Sequence, residues 1–254
     1  MGCSPTRPLA KLVNSVEALK TVFMNTPLFM PNLSDTSIQV EAARYALLRR
    51  LAPTIRHHLV GEFQPIGMIA TLLDRHLQTD APNLIHLREN SAALGKLART
   101  AANNCMNLMS WLVPKSGAVT PLGSGVVDCL SLLTTEFRFK GFVIVNEIAD
   151  MPVKVSTLSL RSVLPAALLA LSDQQPGPAD FVLTASWAGG GVVLSLLRRP
   201  AERSAENSSS AYYRALTWPE VAALAQAESV GFTQSADAVQ LRLLEASHTS
   251  GLVG

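Results

Sequence analysis

Cysteine is scarce in this chain, and the three present, Cys3, Cys105 and Cys129, are too far apart for a paired metal site or a disulfide framework. A stapled secreted domain and a zinc ribbon are thereby excluded, and a reduced, cytoplasmic setting is expected. Cys105 and Cys129 fall on apolar helical faces and read as small hydrophobes. Long apolar runs are also missing. The best of them, Val163 to Leu171, is far below the roughly 18 residues of a membrane span. The N-terminus has no charged region followed by an apolar core, so no secretory signal is expected. Charge is sparse at 16% of residues, with a formal net charge of +2. No basic cluster interleaves with aromatics, which speaks against nucleic acid as a partner. The GxSxG, HExxH, Walker A and paired-cysteine patterns do not occur.

What the chain does have is apolar periodicity. Hydrophobic residues make up 48% of 254 residues, enough for one large core or two modest ones. Residues 1–36 mix Pro5, Pro8, Pro27 and Pro31 with one periodic piece, Leu9 to Phe23, and read as an arm with a short helix. From Ser37, the positions Leu48, Ala52, Ile55, Leu59, Ile66, Ile69 and Leu73 step by threes and fours. That seam predicts a helix of about 40 residues, far longer than the roughly 11–12 of an average globular helix. Pro53 and Pro65 are expected to kink it.

Thr79 to Asn83 supplies a turn, and Leu84, Leu87, Leu94, Leu97, Ala101, Cys105, Leu108 and Leu112 mark a second long helix. Residues 37–114 thus read as an antiparallel helical hairpin. A lone hairpin cannot bury both sides of its stripe, so the pattern predicts a homodimer closed as a four-helix bundle.

After Lys115-Ser116-Gly117 the periodicity becomes mixed. Helices are expected at Val126–Phe137, Leu158–Leu171 and Trp218–Glu228, the last with Thr217 as N-cap and Pro219 in its first turn. Strands are expected at Phe142–Val145, Phe181–Trp187, Val192–Leu197 and Val239–Leu243. Gly189-Gly190-Gly191 reads as a hairpin turn. Ser124-Gly125 and Asp128 read as helix-capping residues, and Trp187 and Trp218 as core. Tyr212 and Tyr213 are candidate docking anchors, a role also open to the two tryptophans. Residues 118–246 are then an α/β sandwich with helices on one face of a mixed sheet, and 247–254 a tail. The fold class is α+β.

Five histidines complete the inventory. His76, His86 and His248 read as surface or tail residues. His57 lies two residues after Ile55, about 200° round the helix, and faces solvent; His58 lies nearer the core. Adjacent residues diverge by about 100°, so the pair is not a metal site. Glu62, one turn after His58, suits a helix-surface ion pair.

A hairpin followed by this α/β order resembles the sensor histidine kinases, a dimerisation and phosphotransfer hairpin ahead of a GHKL-type ATPase domain. The resemblance spans residues from about 38 to 245. In that family the phosphoacceptor histidine is followed by an acidic residue, and setting His57 there puts Leu59, Phe63 and Ile66 on the family's apolar positions. The resemblance therefore implies His57 as phosphoacceptor, His58 as its neighbour, and a response-regulator receiver domain as partner. The family's acidic neighbour is here His58, its Thr or Asn is Gly61, and its proline falls at Glu62.

In the second domain, Leu160-Arg161-Ser162-Val163-Leu164 resembles the start of the N-box helix. The asparagines expected next are Ala166 and Ala170, which offer a magnesium ion no oxygen. No aspartate precedes the glycine triplet, and residues 200–211 contain no glycine-rich lid. No cofactor and no metal are expected. Two functions follow as expectations: a histidine phosphotransferase that relays phosphoryl groups through His57 without ATP, or an inactive pseudokinase that regulates by docking. An ordinary imidazole, with its pKa about 6.5, is largely neutral and nucleophilic at neutral pH.

Overall fold

The computed structural model describes residues 35–113, 115–174, 177–202 and 214–246. The expected N-terminal helix, Cys3, Tyr212, Tyr213, His248 and the tail lie outside these residues.

Two long helices come first. Helix α1 is Asp35–Leu77 and α2 is Leu84–Leu112. Helix α1 runs continuously through Pro53 and Pro65. The side chain of Asn83 caps α2 by accepting hydrogen bonds from the backbone N–H groups of Ile85 (3.0 Å) and His86 (3.3 Å), two donors that the helix cannot satisfy itself. Among the described residues, no helix is long and apolar enough to cross a membrane.

The remainder alternates strands and helices: β1 (Val119–Pro121), α3 (Leu122–Phe139), β2 (Phe142–Asn146), β3 (Lys154–Ser156), α4 (Thr157–Gln174), β4 (Ala179–Trp187), β5 (Gly191–Pro200), α5 (Trp218–Ala227), β6 (Gly231–Gln234) and β7 (Ala238–Leu244). Five strands form one sheet in the order β2-β4-β5-β7-β6. Strands β2 and β4 are parallel, and the remaining neighbours antiparallel. A separate antiparallel pair joins β1 to β3. The molecule is thus α+β, a helical hairpin followed by helices on a mixed sheet.

The glycine triplet makes the β4–β5 turn, with Ala188 and Gly191 exchanging backbone hydrogen bonds. Gly189 and Gly190 both have positive φ (38° and 80°), as the twist of a two-residue hairpin demands. Gly191 is needed for a different reason. A Cβ there would lie 2.1 Å from the carbonyl oxygen of Leu243 on the neighbouring strand. Gly191→Ala should force β5 and β7 apart and cost about 3 kcal/mol, read as a lower urea midpoint.

Helix α4 is buried on most sides, with thirteen buried residues out of eighteen. Three neighbours account for this. Helix α3 lies alongside it, since Asp128 meets Arg161 (3.4 Å) near one end and Glu136 and Asp173 share Arg50 at the other. Helix α5 runs antiparallel on the other flank: the hydroxyl of Ser159 donates to the carbonyl of Glu228, while the Leu216 N–H donates to Asp173. The third is α1, whose Val40, Ala43, Leu47 and Leu51 join the same core as Leu160, Ala166 and Ala170. The first half of α1 therefore caps the α/β layers, and its second half enters the hairpin. Sequence periodicity had assigned all of α1 to the hairpin.

Buried within that cap is a charge. Arg50, only 4% exposed, donates to Asp173 (2.6 Å) and Glu136 (2.5 Å), and Lys140 approaches Glu136 (2.9 Å) and Asp173 (3.2 Å). Burial by itself would lower the guanidinium's pKa; the two carboxylates outweigh it and hold it above its ordinary value.

Three expectations need correction. Ser124, Gly125 and Asp128 do not cap α3, which begins at Leu122. Gly125 is instead a close-approach residue, because a Cβ would meet Leu160 at 2.6 Å and Thr120 at 2.7 Å. Trp187 ends β4 at 56% exposure, outside the core, whereas Trp218 does pack on the core and stacks near Phe232. The Glu62–His58 ion pair does not form.

The expected cap of α5 is present. The N–H and hydroxyl of Thr217 donate to Glu220, which also pairs with Arg214. Burial pushes the Glu220 carboxyl up, but the bonds from Arg214 and Thr217 prevail and hold it below the usual range. A depressed carboxyl contributes stability above its unfolded pKa and loses that contribution as pH falls through the folded value. Glu220→Gln should therefore weaken the protein at neutral pH and leave it almost unaffected at the acid end of a pH series of urea melts.

Candidate functional site

The hairpin positions both histidines on α1, one turn past Thr54, where the helix leaves the α/β layers. His57 is exposed and His58 half-buried, with ring centroids 6.4 Å apart. Arg50 and His57 are seven residues apart and so share one side of α1 to within about 20°. His57 thus emerges on the side that docks the α/β layers, two turns further along.

Around the pair lies an open groove of about 450 Å³, lined by His57, His58, Gly61 and Glu62 from α1 and Asn104, Asn107 and Leu108 from α2. The Asn104 amide donates to a carboxylate oxygen of Glu62 (2.8 Å), locking the two helices together at this level. Because Glu62 is engaged there, it does not serve either imidazole. No carboxylate bonds to His57 or His58 among the described residues.

Sequence reasoning missed Asn104 and Asn107. Their signal was two polar residues beside the apolar stripe position Cys105, where a purely apolar seam would have continued. Gly61 has open space around it, so the groove floor is low beside His57.

The other histidines serve elsewhere. His76 is half-buried, and its Nδ1 has no partner among the described residues; its ring is 6.4 Å from that of His86 across the hairpin turn. His86 is exposed and meets Glu89 (3.3 Å). Among the described residues, no cluster of His, Cys, Asp or Glu could hold a metal ion.

Ala166 and Ala170 on α4 are both fully buried. They present neither an oxygen nor an open surface. Cys129 is buried beside the carbonyl of Leu160, and burial drives its thiol far up, so it is an inert core residue.

No family model and no curated protein matches the chain. Solved structures do. Histidine kinases are among its structural neighbours. The crystal structure of a histidine kinase from Burkholderia phymatum shares 13% identity, covers 79% of this chain and 98% of its own, and has a TM-score of 0.40. The histidine kinase ThkA in complex with the response regulator TrrA shares 11%, covers 80% of this chain and 63% of its own, at 0.39. A bacterial phosphotransferase shares 14%, covers 78% of this chain and 95% of its own, at 0.35.

Proposed function

We propose that this chain is a two-component signalling protein, a homodimeric histidine phosphotransferase that exchanges phosphoryl groups with receiver domains through His57 and does so without ATP. The observation that carries this reading is the placement of His57: exposed on a long hairpin, at the lip of an open groove lined by both of its helices, with the acceptor segment's apolar positions on the opposite side of α1.

In the transfer step, a lone pair of the His57 imidazole attacks the phosphorus of a receiver's aspartyl phosphate. The N–P bond forms as the bond from phosphorus to the aspartate oxygen breaks, and the carboxylate leaves. The second ring nitrogen keeps its proton, and transfer in the opposite direction retraces the same path. The receiver supplies the acidic pocket and the divalent cation. This chain supplies position, through the Asn104–Glu62 bond that fixes the helices beneath the acceptor.

The reading without ATP is supported by Ala166 and Ala170, which lie in the core where the resemblance would place magnesium-binding asparagines, and by a glycine triplet wholly used in a β-turn. It is tested by offering the purified protein labelled ATP, then a phosphorylated receiver. The expected result is label only from the receiver; label from ATP would overturn it.

The homodimer is supported by apolar side chains that the single chain leaves exposed. Phe63 (52%), Ala70 and Leu77 (61%) recur every seven residues along α1, with Leu84 (77%), Ala98, Ala102 and Met109 on α2. A second copy covering this stripe would complete the four-helix bundle. Phe63→Glu should convert the dimer to a monomer of about half the mass by light scattering, without loss of helical circular dichroism.

A second reading, a pseudokinase that regulates by docking, is favoured by one observation: among the described residues, neither imidazole has the carboxylate partner that an acceptor histidine uses for activation.

A further inference from the structure

A second cavity lies well away from His57, where the base of the hairpin meets the start of α4. It has a volume of about 360 Å³, within the range of small-molecule sites. Tyr45, Leu48 and Leu51 of α1, Trp111 of α2 and Leu158 of α4 make apolar walls. Beside the hydroxyls of Ser110 and Ser162, the polar lining on its inner side is Arg161. Its guanidinium lies 4.7 Å from the centre of the Trp111 ring and donates to the Ser110 hydroxyl at 2.7 Å. A longer contact, 3.4 Å, reaches Asp128.

These contacts hold the guanidinium in place while using only part of its five-donor fork. At the rim, Arg44 is paired with Glu41 and Glu228. An apolar chamber with one fixed, side-anchored cation is complementary to a molecule with an apolar body and a single anionic head.

We propose that this cavity binds a small amphipathic anion of the medium-chain carboxylate class, its head on Arg161 and its tail among Tyr45, Leu48, Leu51 and Trp111. The site is built from α1, α2 and α4 together, so a bound ligand ties the hairpin to the α/β layers at the level where α1 passes between them. It is independent of phosphotransfer: it shares no residue with the His57 groove.

Decanoate, below its micellar range, is the probe, with decanol as its uncharged counterpart. Titration calorimetry on the full chain should give saturable binding of one decanoate per protomer and at least tenfold weaker binding of decanol. Arg161→Gln, which can still donate to Ser110, should weaken decanoate at least tenfold and leave decanol unchanged. Leu48→Trp, which fills the chamber, should abolish both while the circular dichroism spectrum is retained. Quenching of Trp111 fluorescence in a Trp187→Phe, Trp218→Phe background reports occupancy directly. Absence of saturable binding, binding that survives Leu48→Trp, or equal affinity of decanoate for the wild type and Arg161→Gln would each overturn the assignment.

Discussion

Replacing His57 by glutamine should abolish receiver-dependent phosphorylation of this protein while its mass, helicity and thermal midpoint stay at wild-type values. Glutamine retains size and polarity but has no nucleophilic nitrogen lone pair, so the N–P bond cannot form. Because His57 is exposed and makes no hydrogen bond to another described residue, the change falls within the few tenths of a kcal/mol typical of surface positions. His58→Gln provides the contrast. That side chain is half-buried in the groove, and its loss should reduce transfer without eliminating it. If His57→Gln keeps full transfer and His58→Gln does not, the acceptor is the other histidine. A biological activity untouched by His57→Gln would instead favour the docking pseudokinase.

The second large effect concerns stability. Arg50→Met should cost about 3–5 kcal/mol, because it removes the buried guanidinium and leaves the carboxylates of Glu136 and Asp173 beside the core to share the half-buried Lys140. For a protein of this size that corresponds to a thermal midpoint about 10 °C lower. Lys140 and the Leu216 N–H remain as partners for Asp173, so the loss is large but not total. Replacing all three by apolar residues of similar shape (Arg50→Met, Glu136→Met, Asp173→Leu) should recover much of it, since a buried ion pair is worth little more than a well-packed apolar substitute. Glu41→Gln, at the exposed partner of Arg44, serves as control and should change stability by less than about 0.5 kcal/mol.

The Arg50 cluster also explains which parts of the fold were legible in the sequence. The hairpin was, because its signals are local: leucines and isoleucines at helical spacing, Asn83 to cap, a short turn between. The strand pair across Gly189 to Gly191 and the capped helix after Thr217 were legible for the same reason. Arg50 was not. Its partners are 86 and 123 residues away, and an arginine in an apolar stripe reads as a solvated side chain until the fold brings carboxylates to it.

The same limit hid the double role of α1, since Val40, Ala43 and Leu47 keep helical spacing whichever layer they face. Strands β1 and β3, three residues each, are too short to show an alternation. Strand β6 begins at Gly231, where a Cβ would meet Arg242 of β7 at 3.0 Å, so close strand approach rather than β-propensity sets it. At the candidate site, His57 and His58 were legible from their position relative to Ile55. Asn104 was not, because its partner Glu62 lies on the opposite helix.

One helix therefore carries two loads. Its first half seals the α/β layers through Arg50 and a short apolar stripe, and its second half presents His57 from the hairpin. The α/β layers are thereby held in one register with His57.

The most direct measurement is to incubate the protein with a panel of receiver domains phosphorylated on their aspartates, digest it with trypsin at mildly alkaline pH, and map the phosphate. The account predicts an acid-labile phosphoryl group on the peptide from His57 to Arg75, localised by fragmentation to His57, with matching loss from the receiver. An intact, folded dimer that takes no phosphate from any receiver, or takes it at a residue outside that peptide, would contradict it.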